Sequence, residues 1–186
     1  MIKYPHNNLI SKNKTKNPYN AINRGLLLED EINKTNLYYK EKDLALIYKK
    51  PTPIHITKLN NNLITEAFFE RKSTTDYNGI YKGKYIDFEA KTTKNKTSFP
   101  LSNLPEFQLE HLKKVHQHGG IAFIIFYLEV KNEYYLYLVK DLVTYLNLTP
   151  RSSISFKEIE EKGYLIKRTI NPPLDYLTVL DSLSLF

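Results

Sequence analysis

The chain has 186 residues, of which 41% are hydrophobic and 25% charged, and it contains no cysteine. This composition is typical of one globular domain with a buried core, and it excludes a disulfide framework and any metal site built on thiolates. The chain has no run of the roughly 18 apolar residues that a membrane span needs, and its N-terminus lacks the pattern of a secretory signal. We therefore expect a cytoplasmic protein without contact to a membrane.

The positive charge of the chain is unevenly distributed. The formal net charge is +7 and the pI is about 9.3, which favours a polyanionic partner such as nucleic acid. No acidic residue precedes Glu29, whereas the same stretch contains Lys3, Lys12, Lys14, Lys16 and Arg24. We interpret residues 1–20 as a basic, flexible arm suited to phosphate contacts and residues 21–186 as one domain. An A/T-rich genome is the alternative explanation for the lysines, but it would not remove acids from one end.

Residues 25–72 predict one helix and two or three strands. Residues 25–42 carry apolar side chains at helical spacing, with Glu29–Glu31 near the N-terminal end, where negative charge is favourable. Residues 43–50 predict a short buried strand that Pro51-Thr52-Pro53 ends. Residues 53–60 predict another strand, and residues 61–72 fit either a helix or a strand.

Residues 73–93 predict a β-hairpin. Asn78-Gly79 and Lys82-Gly83-Lys84 both have turn chemistry, and the alternation from Tyr85 to Thr92 is typical of the returning strand. In the next helix we expect Ser102 or Asn103 as the N-cap, Pro105 in the first turn and Glu106 completing a capping box.

That helix should end at Gly119-Gly120. Two strands separated by Lys131-Asn132 follow, and short helices are predicted over residues 141–146 and 155–162 and from Leu174 onward. The order of elements predicts one α/β domain, with a mixed sheet covered by helices.

The returning strand of the hairpin carries a row of charges. Ile86, Phe88 and Ala90 alternate with Asp87, Glu89 and Lys91, so the charged side chains share one face. Phosphodiester hydrolysis requires a divalent metal on carboxylate oxygens and a cation that stabilises the developing charge. Asp76, which hairpin pairing could bring near Glu89, completes such a set.

The alternative for this charged row is an ordinary solvated sheet face, and for the three residues alone that is the commoner outcome. Two details favour a catalytic role for these charges. The charges are concentrated in the middle of the strand, and Gln108 shares a helix face with Leu104, Leu112 and Val115, so its amide lies on the side that should pack on the sheet. An amide there is either a satisfied core group or a group turned toward a polar site.

The segment STTDYNGIYKGKYIDFEAKTTKNKTSFPL, residues 73–101, resembles the signature region of the RecU family of Holliday junction resolvases. Asn23-Arg24-Gly25 followed by LEDEIN, KKPTPI at residues 49–54 and QLEHL from Gln108 match the same family. The resemblance covers roughly residues 20–130 and is highly specific, whereas the last third of the chain matches more weakly.

This resemblance implies a restriction-endonuclease-like α/β core of the PD-(D/E)xK type, with a central mixed sheet flanked by helices. It also implies a homodimer that acts on four-way DNA junctions. Thr74, Asp76, Glu89 and Gln108 match the magnesium-binding positions of the family, with Mn²⁺ as a substitute, and Lys91 matches its transition-state-stabilising lysine. The proline of the superfamily name is absent, because Thr75 precedes Asp76, and RecU proteins share this departure.

The family also has a stalk that projects into the junction, which residues of about 51–72 should supply. Lys58, Arg71 and Lys72 would then face DNA, together with Arg24. Phe68 and Phe69 are either packing or stacking surfaces, and we favour packing.

Other polar residues receive supporting roles. Asp87 shares the face of Glu89 but has no assigned role in the family, so we interpret it as a carboxylate that supports the metal site through hydrogen bonds. Glu29 could orient a metal-bound water, although a charge at a helix terminus is the interpretation we favour. Among the histidines, His111 and His116 are expected at the surface or at a helix end.

The sequence therefore predicts a Mg²⁺-dependent, structure-selective endonuclease that resolves Holliday junctions by paired nicks, in bacterial recombination and repair at the nucleoid. The resemblance adds contacts with the strand-exchange recombinase and the branch-migration machinery. The alternatives are a restriction-like nuclease acting on duplex or flap DNA, and a non-catalytic architectural protein that binds junctions.

Overall fold

The structure is a computed structural model that describes residues 19–70, 73–148 and 150–186, with side chains described from Leu26 onward. Most of the predicted basic arm, together with Arg71 and Lys72, lies outside the described residues. For Arg24 only the backbone is described.

Five α-helices and ten strands form the described part of the chain. The helices are α1 (Tyr19–Glu41), α2 (Glu106–Gln117), α3 (Val139–Leu148), α4 (Phe156–Lys162) and α5 (Tyr176–Ser182). The strands are β1 (Leu46–Lys49), β2 (Ile54–Asn60), β3 (Leu63–Phe69), β4 (Tyr77–Tyr81), β5 (Lys84–Thr93), β6 (Ser98–Pro100), β7 (Ile121–Leu128), β8 (Glu133–Leu138), β9 (Ser153–Ser155) and β10 (Tyr164–Ile166). Among these described helices, none is long and apolar enough to cross a membrane.

Six strands form the central sheet in the order β1-β4-β5-β7-β8-β10. Strands β5 and β7 are parallel, and the other four neighbouring pairs are antiparallel. The crossover from β5 to β7 contains α2, as a parallel connection requires. The predicted α/β fold with a mixed sheet is confirmed.

Helices cover both faces of this sheet. All eight residues of β7 are buried, because the strand has hydrophobic clusters on both sides. Phe123 and Ile125 pack in one cluster with α1 and α5, whereas Ile124 and Phe126 pack in the other with α2, α3 and α4. On β5, Ile86 and Phe88 belong to the α1 side. The alternating charged residues of β5 therefore face α2.

Several local predictions were wrong. Helix α1 begins at Tyr19, so Glu29 lies well inside the helix and its charge is not at a helix terminus. Asn78-Gly79 lies within β4, and the hairpin turn is at Lys82-Gly83, where both residues have positive φ. By contrast, the segment that fitted either a helix or a strand forms a strand over Leu63–Phe69, which confirms one of the two alternatives.

The predicted capping box of α2 is also wrong. Pro105 is the N-cap and no side chain caps the helix, because Ser102 and Asn103 belong to a 3₁₀ turn over Leu101–Asn103. The predicted C-terminal end is confirmed, since Gly119 follows the helix with a φ of 83°.

Gly79 should be sensitive to substitution because the neighbouring strand β1 approaches it closely. A Cβ at position 79 would lie 2.0 Å from the Leu46 carbonyl oxygen and 2.6 Å from the Ile47 Cα. Both atoms are backbone and cannot rotate away, so we expect Gly79→Ala to lower the free energy of unfolding by about 3 kcal/mol. Urea unfolding measures this change.

Gly83→Asn is the matched control for Gly79→Ala. Gly83 has a φ of 75° and no atom within 4 Å of a built Cβ, and asparagine tolerates the left-handed conformation. This control should cost less than about 1 kcal/mol. Equal losses in the two variants would contradict the close approach of β1.

Candidate active site

The pairing of β4 with β5 brings two carboxylates together. Tyr77 is opposite Phe88, so Asp76, just before β4, lies beside Glu89. The backbone N–H of Asp76 donates to Glu89 Oε2 at 3.1 Å, and the backbone N–H of Ala90 donates to Asp76 Oδ2 at 3.0 Å. These reciprocal bonds fix both carboxylates at the strand, as the predicted hairpin pairing requires.

Lys91 and Gln108 close the same site from the side of α2. Lys91 Nζ lies 2.6 Å from Glu89 Oε1 and donates to Gln108 Oε1 at 3.0 Å. Gln108 is one of two buried residues of α2, and its amide points at a polar group of β5 and not into the apolar core. The structure therefore brings Asp76, Glu89, Lys91 and Gln108 together.

Burial controls the electrostatics of Glu89. Its side chain is 2% exposed, and burial, followed by the charge of Asp76, raises its pKa to about 7 against the opposing effect of Lys91. A carboxylate with this environment is stabilised by an added cation.

The donor set at this position fits Mg²⁺ better than a softer metal. Asp76, Glu89 and Gln108 offer two carboxylates and one amide oxygen, and Mg²⁺ prefers oxygen ligands and binds through one or two carboxylates with several waters. No group of three or more His, Cys, Asp or Glu able to hold a metal occurs among the described residues, which is compatible with such a sparse site. The hydroxyl of Thr74 lies 3.4 Å from Lys50 Nζ.

Asp87 has a different set of partners from Glu89. It is fully buried, and its carboxylate accepts hydrogen bonds from Lys50 Nζ at 2.6 Å, from the Tyr85 hydroxyl at 2.8 Å and from the Thr75 hydroxyl. His111 Nε2 lies 3.0 Å from the same carboxylate. His111 is half-buried, with 29% of its side chain exposed, so the prediction of a surface residue is only partly right: its ring turns from α2 toward Asp87.

The sequence reasoning missed Lys50, Thr75, Tyr85 and His111 as neighbours of the site. Lys50 and His111 had one available signal, since both lie in segments that match the family, KKPTPI and QLEHL. Their distance in sequence from Asp87 concealed the contact, which only the pairing of β1 beside β4 and the packing of α2 on β5 create.

Glu29 approaches the site from α1. Its carboxylate pairs with Lys49 Nζ at 2.5 Å, and its backbone oxygen accepts from the Tyr77 hydroxyl at 3.2 Å. Burial raises the pKa of Tyr77, and the charges of Glu29, Asp76 and Glu89 raise it further. The role of Glu29 in orienting a water stays a prediction.

The hairpin of β2 and β3 forms a separate two-stranded sheet over the segment predicted as the stalk. Lys58 pairs across it with Glu66 at 2.7 Å. Phe68 contacts the His55 ring, with centroids 5.0 Å apart, whereas Phe69 is 74% exposed. Phe68 is itself 56% exposed, so within the chain the favoured packing role is wrong for Phe69 and is met by Phe68 only through the His55 ring.

Two carboxylates, a lysine and an amide on a mixed sheet are typical of metal-dependent nucleases that hydrolyse phosphodiesters. A family model described as Recombination protein U matches residues 23–182. The chain therefore belongs to the RecU family.

Curated relatives agree with this assignment. A protein of Leuconostoc mesenteroides subsp. mesenteroides named Holliday junction resolvase RecU is 46% identical over 183 residues, covering 95% of this chain and 90% of that protein. A Bacillus cytotoxicus protein of the same name is 45% identical and covers 97% of this chain and 96% of that protein. Among solved structures, Archaeoglobus fulgidus Hjc, described as a Holliday junction resolvase, has a TM-score of 0.44 at 13% identity, over 75% of this chain and 94% of that one.

The raised pKa of Glu89 predicts a pH-dependent stability in the absence of divalent metal. The folded chain binds the Glu89 proton up to about pH 7, whereas the ordinary pKa is 4.5. The free energy of unfolding therefore falls as the pH rises from 4.5 to about 7, by at most about 3 kcal/mol. Glu89→Gln cannot ionise, so in EDTA it should become progressively more stable than the wild type between about pH 5 and about pH 8.

Urea unfolding of both proteins across this pH range measures the difference. Excess Mg²⁺ at the upper pH is the internal control, because binding to the folded state should raise the stability of the wild type and not that of Glu89→Gln. Parallel pH profiles of the two proteins would contradict the raised pKa.

Proposed function

We propose that this chain is a Mg²⁺-dependent, structure-selective endonuclease that resolves Holliday junctions by paired, symmetric nicks in recombination and DNA repair. The observation that carries this proposal is the contact of Asp76, Glu89, Lys91 and Gln108 at one point of β5. Membership in the RecU family, whose relatives bear the name of this activity, supports it.

Each residue of the site has a distinct task in this mechanism. Asp76 and Glu89 would hold Mg²⁺ through their carboxylates, with oxygens of Thr74 and Gln108 as the further ligands. Bound Mg²⁺ supplies charge neutralisation at the scissile phosphate and lowers the pKa of an attacking water. Lys91 is held by Glu89 and Gln108, so its ammonium is already oriented to stabilise negative charge that develops on the phosphate. Mn²⁺ also accepts oxygen ligands and is the expected substitute.

Paired nicks require two active sites, and a homodimer with two-fold symmetry supplies them at equivalent strands of a four-way junction. Contacts of this dimer with the strand-exchange recombinase and the branch-migration machinery belong to the same proposal. They would place the protein at the bacterial nucleoid, in the cytoplasm.

Selection of the junction should depend on its shape and its phosphates, with base contacts adding only a modest preference. The nuclease domain, residues 21–186, would use the β2–β3 hairpin within the stalk segment 51–72 to enter the junction. All seven residues of each strand of this hairpin are exposed. Lys58, Arg71, Lys72 and Arg24, together with the basic arm, are the proposed phosphate contacts.

Cleavage of a labelled mobile four-way junction and a matched duplex, with and without Mg²⁺, tests this function. We expect nicks at symmetry-related positions of two junction strands, only with Mg²⁺, and little cutting of the duplex. Comparable cutting of both substrates would instead favour a restriction-like nuclease of duplex or flap DNA. Binding of the junction without cleavage in Mg²⁺ or Mn²⁺ would favour an architectural protein.

Asp76→Asn tests the site separately from DNA binding. The substitution removes one of the two metal-binding carboxylates and leaves the basic surface intact, so cleavage should fall by at least about 1,000-fold while junction affinity changes less than about threefold. Gel-shift titration and single-turnover cleavage measure the two quantities. Asp30→Asn is the matched control, because within the described part of the chain Asp30 pairs with Lys34 alone, on the exposed face of α1. Full cleavage by Asp76→Asn would overturn the assignment of the site.

A further inference from the structure

A second charged cluster lies beside the proposed metal site, and no step of the proposed mechanism uses it. Its centre is Asp87, two residues before Glu89 on the same face of β5. Lys50 Nζ, at 2.6 Å, is its charged partner, and the hydroxyls of Tyr85 and Thr75 complete its hydrogen bonds. His111 Nε2 lies within 3.0 Å of Asp87 Oδ2 and 3.4 Å of Lys50 Nζ.

An ion pair in this environment is a weak means of stabilising a fold. The Asp87 side chain is fully buried and that of Lys50 is only 15% exposed, so both charges have lost most of their hydration. Apolar residues of similar volume often stabilise such a position equally well or better. The position of this pair beside Asp76 and Glu89 therefore indicates a functional use for the ammonium.

Both ends of Lys50, its backbone and its ammonium, are bound to residues at the proposed metal site. Its backbone N–H donates to the carbonyl oxygen of Asp76 at 2.7 Å, and its Nζ donates to the hydroxyl of Thr75. The long side chain therefore has little freedom left to lose when it binds a ligand.

This ammonium also has donor capacity to spare. It has three N–H donors, and two of them are taken by the short bonds to Asp87 and Thr75. The other contacts, to the Thr74 hydroxyl and to His111 Nε2, are both at 3.4 Å. At that distance a hydrogen bond is weak, so an incoming phosphate oxygen can replace it.

The surface next to this cluster suits a phosphate chain. A cavity of about 340 Å³ is bordered by Tyr85 and His111, which both contact Asp87, and by Lys114 and His118 from the same side of α2. Among the described residues that line this cavity, none is acidic. A polyanion at this cavity would meet the Lys114 ammonium and no carboxylate of the described lining, so the lining would not repel it.

We propose that Lys50 binds the phosphate adjacent to the scissile one, on the side of Asp87, and that Asp87 is the positioning residue that holds the ammonium there. Asp87 and Glu89 are two residues apart along a strand, about 6.6 Å, which is close to the spacing of successive phosphates along one DNA strand. Lys50 and Lys91 would then contact different phosphates. This inference rests on the proposed function, because it takes the scissile phosphate to lie at Asp76 and Glu89.

Single methylphosphonate substitutions test the contact directly, since each removes the charge of one phosphate. Junctions with one neutral linkage at each position around the cut site are titrated with wild type and Lys50→Met in Ca²⁺, which permits binding to be measured apart from Mg²⁺-dependent cleavage. We expect Lys50→Met to bind the unmodified junction about 10-fold more weakly. On the junction whose neighbouring phosphate is neutral, both proteins should bind equally within about twofold.

Two further variants separate phosphate binding from structural support. Lys50→Arg keeps the charge and should retain most of the junction affinity. In Asp87→Asn, the neutral linkage at that phosphate should still weaken binding, but single-turnover cleavage should be slower, because the ammonium is no longer held in place. Lys50→Met leaves Asp87 buried without its cation and can lose stability. The Lys50→Met/Asp87→Asn double variant removes both charges, and thermal unfolding checks that it is folded.

Lys82→Met is the matched control, because Lys82 pairs with Asp181 at the same 2.6 Å but lies at the hairpin turn, at the opposite end of β4 from Asp76. Lys82→Met should be weakened by the same neutral linkages as the wild type, and to the same extent. If the neutral linkage lowers the junction affinity of the wild type and of the folded Lys50 variants by the same factor at every position, Lys50 contacts no phosphate and the inference fails. Absence of junction cleavage by the wild type would overturn the proposed function instead, while the binding titration would still show whether Lys50 contacts a phosphate.

Discussion

The burial of negative charge on one face of β5 is the constraint on which the site depends. Ile86 and Phe88 point into the cluster under α1, so Asp87 and Glu89 must point the other way, toward α2. That face is covered too, and a carboxylate there loses most of its hydration. The neighbouring elements must therefore supply donors and cations. Strand β4 and α2 do so by contacting β5 directly, and β1, on the outer side of β4, does so through the Lys50 side chain.

The sheet topology determines which elements can supply these groups. Strand β4 is antiparallel to β5 and delivers Asp76, and β1 follows on its outer side and delivers Lys50. The parallel pairing of β5 with β7 requires a crossover, and α2 within it places Gln108 and His111 one helical turn apart over the same strand face. Three separate stretches of sequence thus converge on the three successive positions of β5 that face α2, namely Asp87, Glu89 and Lys91.

Contacts between residues close in sequence could be predicted at this site, whereas contacts from strands and helices distant in sequence could not. The alternation in β5 and the hairpin were enough to bring Asp76 to Glu89, because strand pairing across a short turn is a local property. Helical periodicity placed Gln108 on the face of its helix that packs on the sheet, and the family resemblance assigned it to the site. Lys50 and His111 were missed because nothing in a linear pattern gives the lateral order of strands or the rotation of α2. The start of α1 was misplaced because its apolar spacing becomes clear only from Leu26 onward, several residues after the helix begins.

The difference between Asp87 and Glu89 follows from how fully each is compensated within the chain. Asp87 has a lysine, two hydroxyls and a histidine around it and no carboxylate among these contacts. Glu89 has Lys91 and one backbone N–H, but burial and then the charge of Asp76 oppose them and raise its pKa to about 7. A divalent cation relieves the repulsion between Asp76 and Glu89, whereas at Asp87 it would have to displace an ammonium that already neutralises the charge. In the proposed mechanism, two carboxylates on the same face of one strand would therefore differ in function, because the charge of Asp87 is compensated by the chain and that of Glu89 would be compensated by a metal.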